Sequence, residues 1–257
     1  MALELEGAGE IFCRLKPDTA LYRNLADVMT HASQRGGVQA VRHRARELTE
    51  LRARAQHDVV RATAALLDQM RTILVHDYSS MVMRVLHALP AMRRRVVVTT
   101  GEPLGQGLRV AKEAADLGYD VTYLPDMSVA RVVQSVDVFL TGVEVFYGDG
   151  SFANTVGTTM LGLLCRETDT PVLAPAEALK LDRQVGSASI APLSAALLHR
   201  WPADGSDVPA EWSTVQYVLD AVPASVVSSY ITEVSTCSPD QVGDVAGAAI
   251  EQLFWSR

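Results

Sequence analysis

Apolar positions along the chain fall into two regimes. Up to about residue 70 they recur at intervals of three, four and seven, as on one face of a helix. Val41, Ala45, Leu48, Ala55, Val59, Ala62 and Leu66 form such a stripe, and Leu21, Leu25, Val28 and Met29 form a shorter one before it. Asp18-Thr19 is placed to cap the first helix and Gly36-Gly37 to stop it. From Thr72 onward short β-branched runs alternate with helical stretches. Strands are predicted at Thr72 to Val75, Arg95 to Thr99, Asp120 to Leu124, Val136 to Leu140 and Pro171 to Ala174. Helices are predicted at Ser79 to Leu89, Gly105 to Leu117, Ser128 to Gln134 and Asn154 to Glu167. Such alternation with short joints predicts an α/β protein, a parallel sheet wound with helices on both faces. The organisation expected is a small helical domain over 1–70 and a Rossmann-like domain over 71–257 that carries the site. Residues 183 to 213, rich in Gly and Pro, are expected to be a surface insertion or a lid. Late strands are predicted at Val215 to Leu219 and Ser229 to Thr232, and a last helix at Asp240 to Phe254, opened by Pro239.

Composition narrows the function. With 48% hydrophobic and 21% charged residues the chain resembles an ordinary soluble globular protein. A net charge of -7 argues against nucleic acid as the main partner. Arg42, Arg44, Arg46, Arg52 and Arg54 are interrupted by Glu47 and Glu50, which favours a solvated or subunit-facing surface. Three scattered cysteines (Cys13, Cys165, Cys237) and six histidines give neither a disulfide framework nor metal spacing. The expectation is a cytoplasmic protein without metal or cofactor, and without a signal peptide or membrane span. There is no nucleophile elbow at Gly148-Asp149-Gly150-Ser151, no P-loop and no dinucleotide fingerprint after the first strand.

Polar residues gather where strands should end. His76-Asp77, Thr99 to Pro103 with Glu102, Asp126, Gly142 with Glu144, and Glu177 with Lys180 each follow a predicted strand. In a parallel sheet they line one edge, the edge at which ligands bind. Asp77 and Glu144 are the preferred acid–base pair, because neighbouring carboxylates differ in proton affinity and can move a proton between adjacent substrate atoms. Asp77 could equally cap the helix starting at Ser79. Asn154, with Thr155 and Thr158, either captures an oxyanion or hydroxyl at a helix start or caps that helix.

The runs Ile73 to Ser80, Thr99 to Pro103, Val136 to Thr158 and Pro175 to Lys180 together resemble one superfamily. It contains the regulatory subunits of translation initiation factor 2B, methylthioribose-1-phosphate isomerase and ribose-1,5-bisphosphate isomerase. The likeness continues through Leu219 to Pro223 and Tyr230 to Glu233; Glu6 to Gly9 and Lys16-Pro17 are similar to the family's N-terminal loops. It implies an N-terminal helical domain, a Rossmann-like domain, and dimers or higher homo-oligomers. The resemblance also implies which positions differ. Asp77 stands where the isomerases carry a catalytic cysteine, and Glu144 where they carry a catalytic aspartate. Thr155 replaces a lysine, and Glu102 and Glu6 replace arginines. His76, Asp126, Gly142, Asn154, Gly157, Thr158, Glu177 and Lys180 are retained. At ~4 Å and an effective dielectric near ~20, each charge reversal against a phosphate is worth several kcal/mol. Two functions are compatible with this pattern. One is an aldose–ketose isomerase acting on a sugar-derived substrate less anionic than a bisphosphate; the other is a non-catalytic ligand-sensing or assembly subunit.

Overall fold

The computed structural model describes residues 20–184, 186 and 217–255. Glu6, Lys16, the Asp18-Thr19 cap, Cys13, and nearly all of the Gly/Pro-rich stretch therefore lie outside the described residues, as do Val215 and Gln216 of the predicted late strand.

The first element, α1 (Ala20–Leu66), is two helices meeting at a kink. Gly36 and Gly37 leave helical geometry there, and Gly37 at φ 61°, ψ −151° occupies a region essentially reserved for glycine. Leu48 and Val59 of the apolar stripe are buried, but Leu66 is 43% exposed and Leu67 takes the inward position. Arg42, Arg46 and Arg54 are exposed as expected. Arg44 and Arg52 are not: Arg44 is buried against Glu47 and the Leu253 carbonyl, and Arg52 reaches Glu177. Glu47 lies one turn along α1, but the Leu253 carbonyl and Glu177 come from distant parts of the chain, which spacing along α1 does not reveal.

The parallel-sheet domain follows as β1 (Thr72–Val75), α2 (Ser80–Ala88), β2 (Arg95–Thr99), α3 (Gly107–Asp116), β3 (Asp120–Leu124), β4 (Val138–Leu140), β5 (Val145–Tyr147), β6 (Phe152–Thr155), α4 (Thr158–Glu167), β7 (Val172–Pro175), β8 (Leu181–Asp182), β9 (Leu219–Val222), β10 (Ser229–Ile231), β11 (Thr236–Cys237) and α5 (Pro239–Trp255). The predicted helix at 128–134 is instead two short 3-10 segments, Asp126–Arg131 and Val133–Ser135.

The main sheet has the order β11-β10-β7-β4-β1-β2-β3. All pairings are parallel except the edge pair β10 with β11. Alternate residues enter different cores, as strand geometry requires. Ile73, Val75, Val96, Val98, Val138 and Leu140 pack with α2 and α3 on one face. Leu74, Val97, Phe139 and Val172 pack with α4 and the 3-10 segments on the other. Strand order runs outward from β1 to β2 and β3 on one side and to β4 and β7 on the other. The crevice between β1 and β4 is thus the point where ligands bind in such sheets.

A second sheet, β8-β5-β6-β9, was not expected from the sequence. The predicted helix beginning near Asn154 is corrected here: Phe152–Thr155 is a strand paired antiparallel with Val145–Tyr147, and the helix starts at Thr158. The turn between them is Gly148 to Ser151, fastened by Asp149 Oδ1 accepting from the amide (2.9 Å) and hydroxyl (2.5 Å) of Ser151. Phe146, Phe152 and Tyr230 meet in a further core with α5 and the first half of α1. The late strand likewise begins at Leu219 and ends at Val222, pairing with β6.

Candidate functional site

Four of the five predicted clusters end adjacent parallel strands, β4, β1, β2 and β3, and the fifth follows β7 beside them, so all five share one edge. The geometry starts at His76, which is buried between two fixed partners. Its Nδ1 lies 2.6 Å from the Thr99 hydroxyl and its Nε2 lies 2.8 Å from the Val156 carbonyl. A carbonyl only accepts, so Nε2 carries the proton, and a neutral ring accepts the Thr99 proton at Nδ1. Both nitrogens are committed, and His76 serves to hold β1, β2 and the 156–157 turn together.

Asp77 departs from every ordinary expectation of a turn residue. Its backbone is left-handed at φ 57°, uncommon for a residue with a side chain. Its carboxylate is 4% exposed, and Oδ2 accepts a 2.6 Å bond from the Thr155 hydroxyl. Oδ1 is buried with no hydrogen-bond partner among the described residues. Gly101 lies directly over it, where an added Cβ would come within 2.9 Å of Oδ1. Asp77 does not cap α2; Ser79 does, its Oγ accepting from the Val82 amide. The capping alternative for Asp77 is thereby removed.

Asp126 is an organiser of the neighbouring loop. Oδ1 accepts from the Gly101 amide (2.8 Å) and the Thr100 hydroxyl (3.1 Å), and Oδ2 from the Glu102 amide (2.9 Å). It thereby fixes the segment that covers Asp77. The Glu102 side chain is exposed, so any repulsion it exerts on an anion is screened to about 1 kcal/mol or less.

Across the crevice, Gly142 is buried so tightly that an added Cβ would lie 2.8 Å from Ser79 Cβ and 3.2 Å from Asn154 Oδ1. The Glu144 amide donates to the Ala153 carbonyl, setting Glu144 beside Asn154 in the hairpin. Asn154 donates to the Thr158 hydroxyl (3.0 Å), which donates to the Thr155 carbonyl (2.6 Å). Asn154 sits on β6 and not at a helix start, so it does not cap α4. The free amides of α4 at Gly157 and Thr159 are both taken by Asp220 Oδ2 at 2.9 Å. A carboxylate of the chain itself occupies that anion seat.

Lys180 and Glu177 complete the edge. Lys180 Nζ donates to the Val143 carbonyl at 2.5 Å. Burial, with Arg52 adding, pushes its ammonium below the ordinary lysine range, while Glu144 and Glu177 oppose this. Glu177 is 3% exposed and held by Arg52 at 2.8 Å and Gln56 at 2.8 Å. Glu233, at the end of β10, accepts from the Ala178 amide at 2.9 Å. Burial raises its pKa against that bond, with Glu177 and Asp58 adding. The sequence reading missed Arg52, Gln56 and Asp220. Only the arginine–glutamate complementarity of α1 with the edge could have signalled the first two, and it spans 125 residues.

No group of three or more metal-ligating side chains occurs among the described residues. Cys165 and Cys237 are buried and free, and burial lifts the Cys165 thiol to about 12, so neither is poised as a nucleophile. No helix among them is long and apolar enough to cross a membrane.

Comparison with known proteins gives the site a context. A model of the initiation factor 2 subunit family matches residues 3–239. A putative translation initiation factor eIF-2B subunit 2-like protein of Pyrococcus abyssi is 26% identical over 228 residues, 88% of this chain and 78% of its own. A ribose 1,5-bisphosphate isomerase of Haloferax volcanii is 32% identical over 155 residues, 60% of this chain and 48% of its own. Among solved structures, the Pyrococcus horikoshii translation initiation factor eIF-2B superposes with a TM-score of 0.76 at 20% identity, covering 95% of this chain and 84% of that one. The 5-methylthioribose 1-phosphate isomerase of the same organism does so at 0.71 and 21%, covering 96% and 75%.

Proposed function

The chain belongs to the initiation factor 2 subunit family, and from that premise we propose that it is an isomerase-type enzyme acting on a sugar-derived substrate. Sugar-phosphate isomerases and initiation-factor-like proteins both occur among its relatives. The observation that carries the enzymatic reading is the Asp77 carboxylate: buried, fixed at Oδ2 by Thr155, and with Oδ1 lacking a hydrogen-bond partner among the described residues. A structural carboxylate so deeply buried would normally have both oxygens satisfied.

In the proposed reaction one of Asp77 and Glu144 removes the proton from the carbon next to the carbonyl. The other protonates the carbonyl oxygen, giving an enediol. Returning a proton to the former carbonyl carbon, with loss of the other hydroxyl proton, completes the aldose–ketose exchange without redox cofactor. Lys180, held beside Glu144, and Asn154 orient the substrate oxygens. Thr155 in place of a cation and the Asp220 carboxylate on the α4 amides favour a substrate less anionic than a bisphosphate.

The test is turnover by the purified chain of pentose and hexose derivatives, phosphorylated and not, after a thermal-shift screen for ligands. Asp77→Asn and Glu144→Gln should each lower kcat by at least about a hundredfold. The proposal fails if no aldose or ketose derivative is converted, or if both variants keep full turnover. A second reading, a ligand-sensing or assembly subunit, draws on the long initiation-factor-like matches and on a His76 ring with both nitrogens engaged. Ligand binding without turnover, in a protein that co-purifies with a larger complex, would favour it.

A further inference from the structure

The opposite edge of the sheet holds a second feature that the proposed reaction does not use. A cleft of about 380 Å³ opens at the N-terminal ends of β1, β2 and β3, lined by Arg71, Arg93, Arg94, Arg95 and Asp120, with Ala91 and Gly118. The register puts these side by side: Thr72 pairs with Arg95 and Arg95 with Asp120. Four arginines thus line one cleft in a chain whose net charge is -7.

Of the carboxylates nearby, two pair with arginines of the cleft and one is turned onto backbone amides. Asp120 is paired with Arg95 at 2.9 Å. Asp137 turns its Oδ2 onto the amides of Arg71 and Thr72 at 2.6 and 2.8 Å. Asp68 lies 3.8 Å from Arg94 and is 69% exposed. Arg94 itself is 4% exposed and spends its donors on three neutral carbonyls, those of Asp68, Met70 and Pro90. Those carbonyls orient its charge without cancelling it. Arg71 and Arg93 are exposed and have no ion-pair partner among the described residues. Arg93 is moreover held at φ 63°, a conformation that a side-chain-bearing residue adopts at a cost and that points to function when it persists.

We propose that this cleft binds a small phosphorylated compound with at least two adjacent anionic oxygens. The guanidinium forks of Arg71 and Arg93 are suited to that geometry, and clustered like charges gain most from a multiply charged anion. The site stands apart from Asp77 and Glu144, at the other end of the same strands.

Titration calorimetry of the full chain with pyrophosphate at low ionic strength tests it. One site per chain is expected. Arg71→Gln combined with Arg93→Gly should weaken binding at least about tenfold, because two charge-assisted forks are lost. Glycine suits the backbone at position 93 and both side chains are exposed, so this variant should retain its melting temperature. Arg54→Gln with Arg61→Gln, at two exposed arginines elsewhere on α1, should leave the affinity within about twofold. Absence of pyrophosphate binding to the unaltered protein would overturn the proposal. So would equal affinity in the Arg71/Arg93 variant, which would assign the anion to another surface. Neither outcome depends on turnover of a sugar.

Discussion

Asp77 and its immediate neighbours carry the proposed chemistry, and two substitutions separate their roles. Among the described residues, Thr155 supplies the only side-chain hydrogen bond to the Asp77 carboxylate, which is 4% exposed. Thr155→Val keeps the shape and removes that donor, so it should destabilise the fold by about 1.5–3 kcal/mol, read by urea denaturation. Gly101 sits at φ 71° against Asp77. Gly101→Ala combines left-handed strain with a 2.9 Å contact on Oδ1, and should cost at least about 1–3 kcal/mol by the same measurement. Glu233 gives a prediction in pH. Its pKa is raised in the fold, so the folded state binds more protons than the unfolded state between the ordinary glutamate range and that raised value. Its charged form therefore lowers stability as pH rises through the raised pKa, and the penalty is absent below the ordinary pKa. Glu233→Gln should be relatively more stabilising at pH 7 than at pH 4.5, in paired denaturation curves. A difference that is constant or reversed would contradict the account. At this scale the sequence was informative about which polar residues gather at the strand ends and poor about what they touch. Asp77, Glu144 and Lys180 stand out as polar groups after apolar runs. Arg52 and Asp220 do not, since their partners lie 125 and 61 or more residues away.

The elements follow local rules wherever periodicity is unambiguous, and depart from them at the hairpin. The strands from β1 to β4 and β7 were legible because their β-branched runs alternate with amphipathic helices. The β5–β6 hairpin was obscured because Asn154 and Thr158 have the chemistry of a helix start, although Val-Phe-Tyr and Phe-Ala-Asn-Thr flanking Gly-Asp-Gly-Ser carry a hairpin signal. Tertiary contact then decides: Tyr230 donates from its hydroxyl to the Gly150 carbonyl at 2.9 Å, and Phe146 and Phe152 enclose its ring. At Gly150 an added Cβ would stand 2.2 Å from the Pro239 carbonyl oxygen, at φ 78°. Gly150→Ala should therefore force the hairpin away from the start of α5 and destabilise by ~3 kcal/mol or more. Its effect on a melting curve should far exceed that of alanine at Gly148, which has open space around it.

At the scale of the whole molecule, the kinked α1 ties the two sheets together. Its first half donates from Asn24 to the carbonyls of Leu179 and Leu181, and from Arg23 to Asp182. Its second half clamps Glu177 through Arg52 and Gln56. The N-terminal helical region thereby reaches the candidate site from outside the sheet, a coupling invisible to helix periodicity alone. The family's fold was legible from strand-end motifs, and the structure places those motifs on a common edge. In the proposed function, substrate identity would depend above all on Asp77, Glu144 and Thr155, and a single changed group redirects specificity in such pockets. Assembly into dimers or higher homo-oligomers is expected from the family and is checked by sedimentation equilibrium, a purely monomeric chain being the contrary result. The central claim concerns the buried carboxylate and its partner across the crevice. The most direct measurement is hydrogen exchange from solvent deuterium into the carbon next to the carbonyl of a ligand selected by thermal shift, followed by NMR in the unaltered protein and in Asp77→Asn. Exchange that accompanies aldose–ketose conversion and is lost in the variant is the predicted result; a bound ligand that never exchanges, or exchanges equally in both proteins, would contradict it.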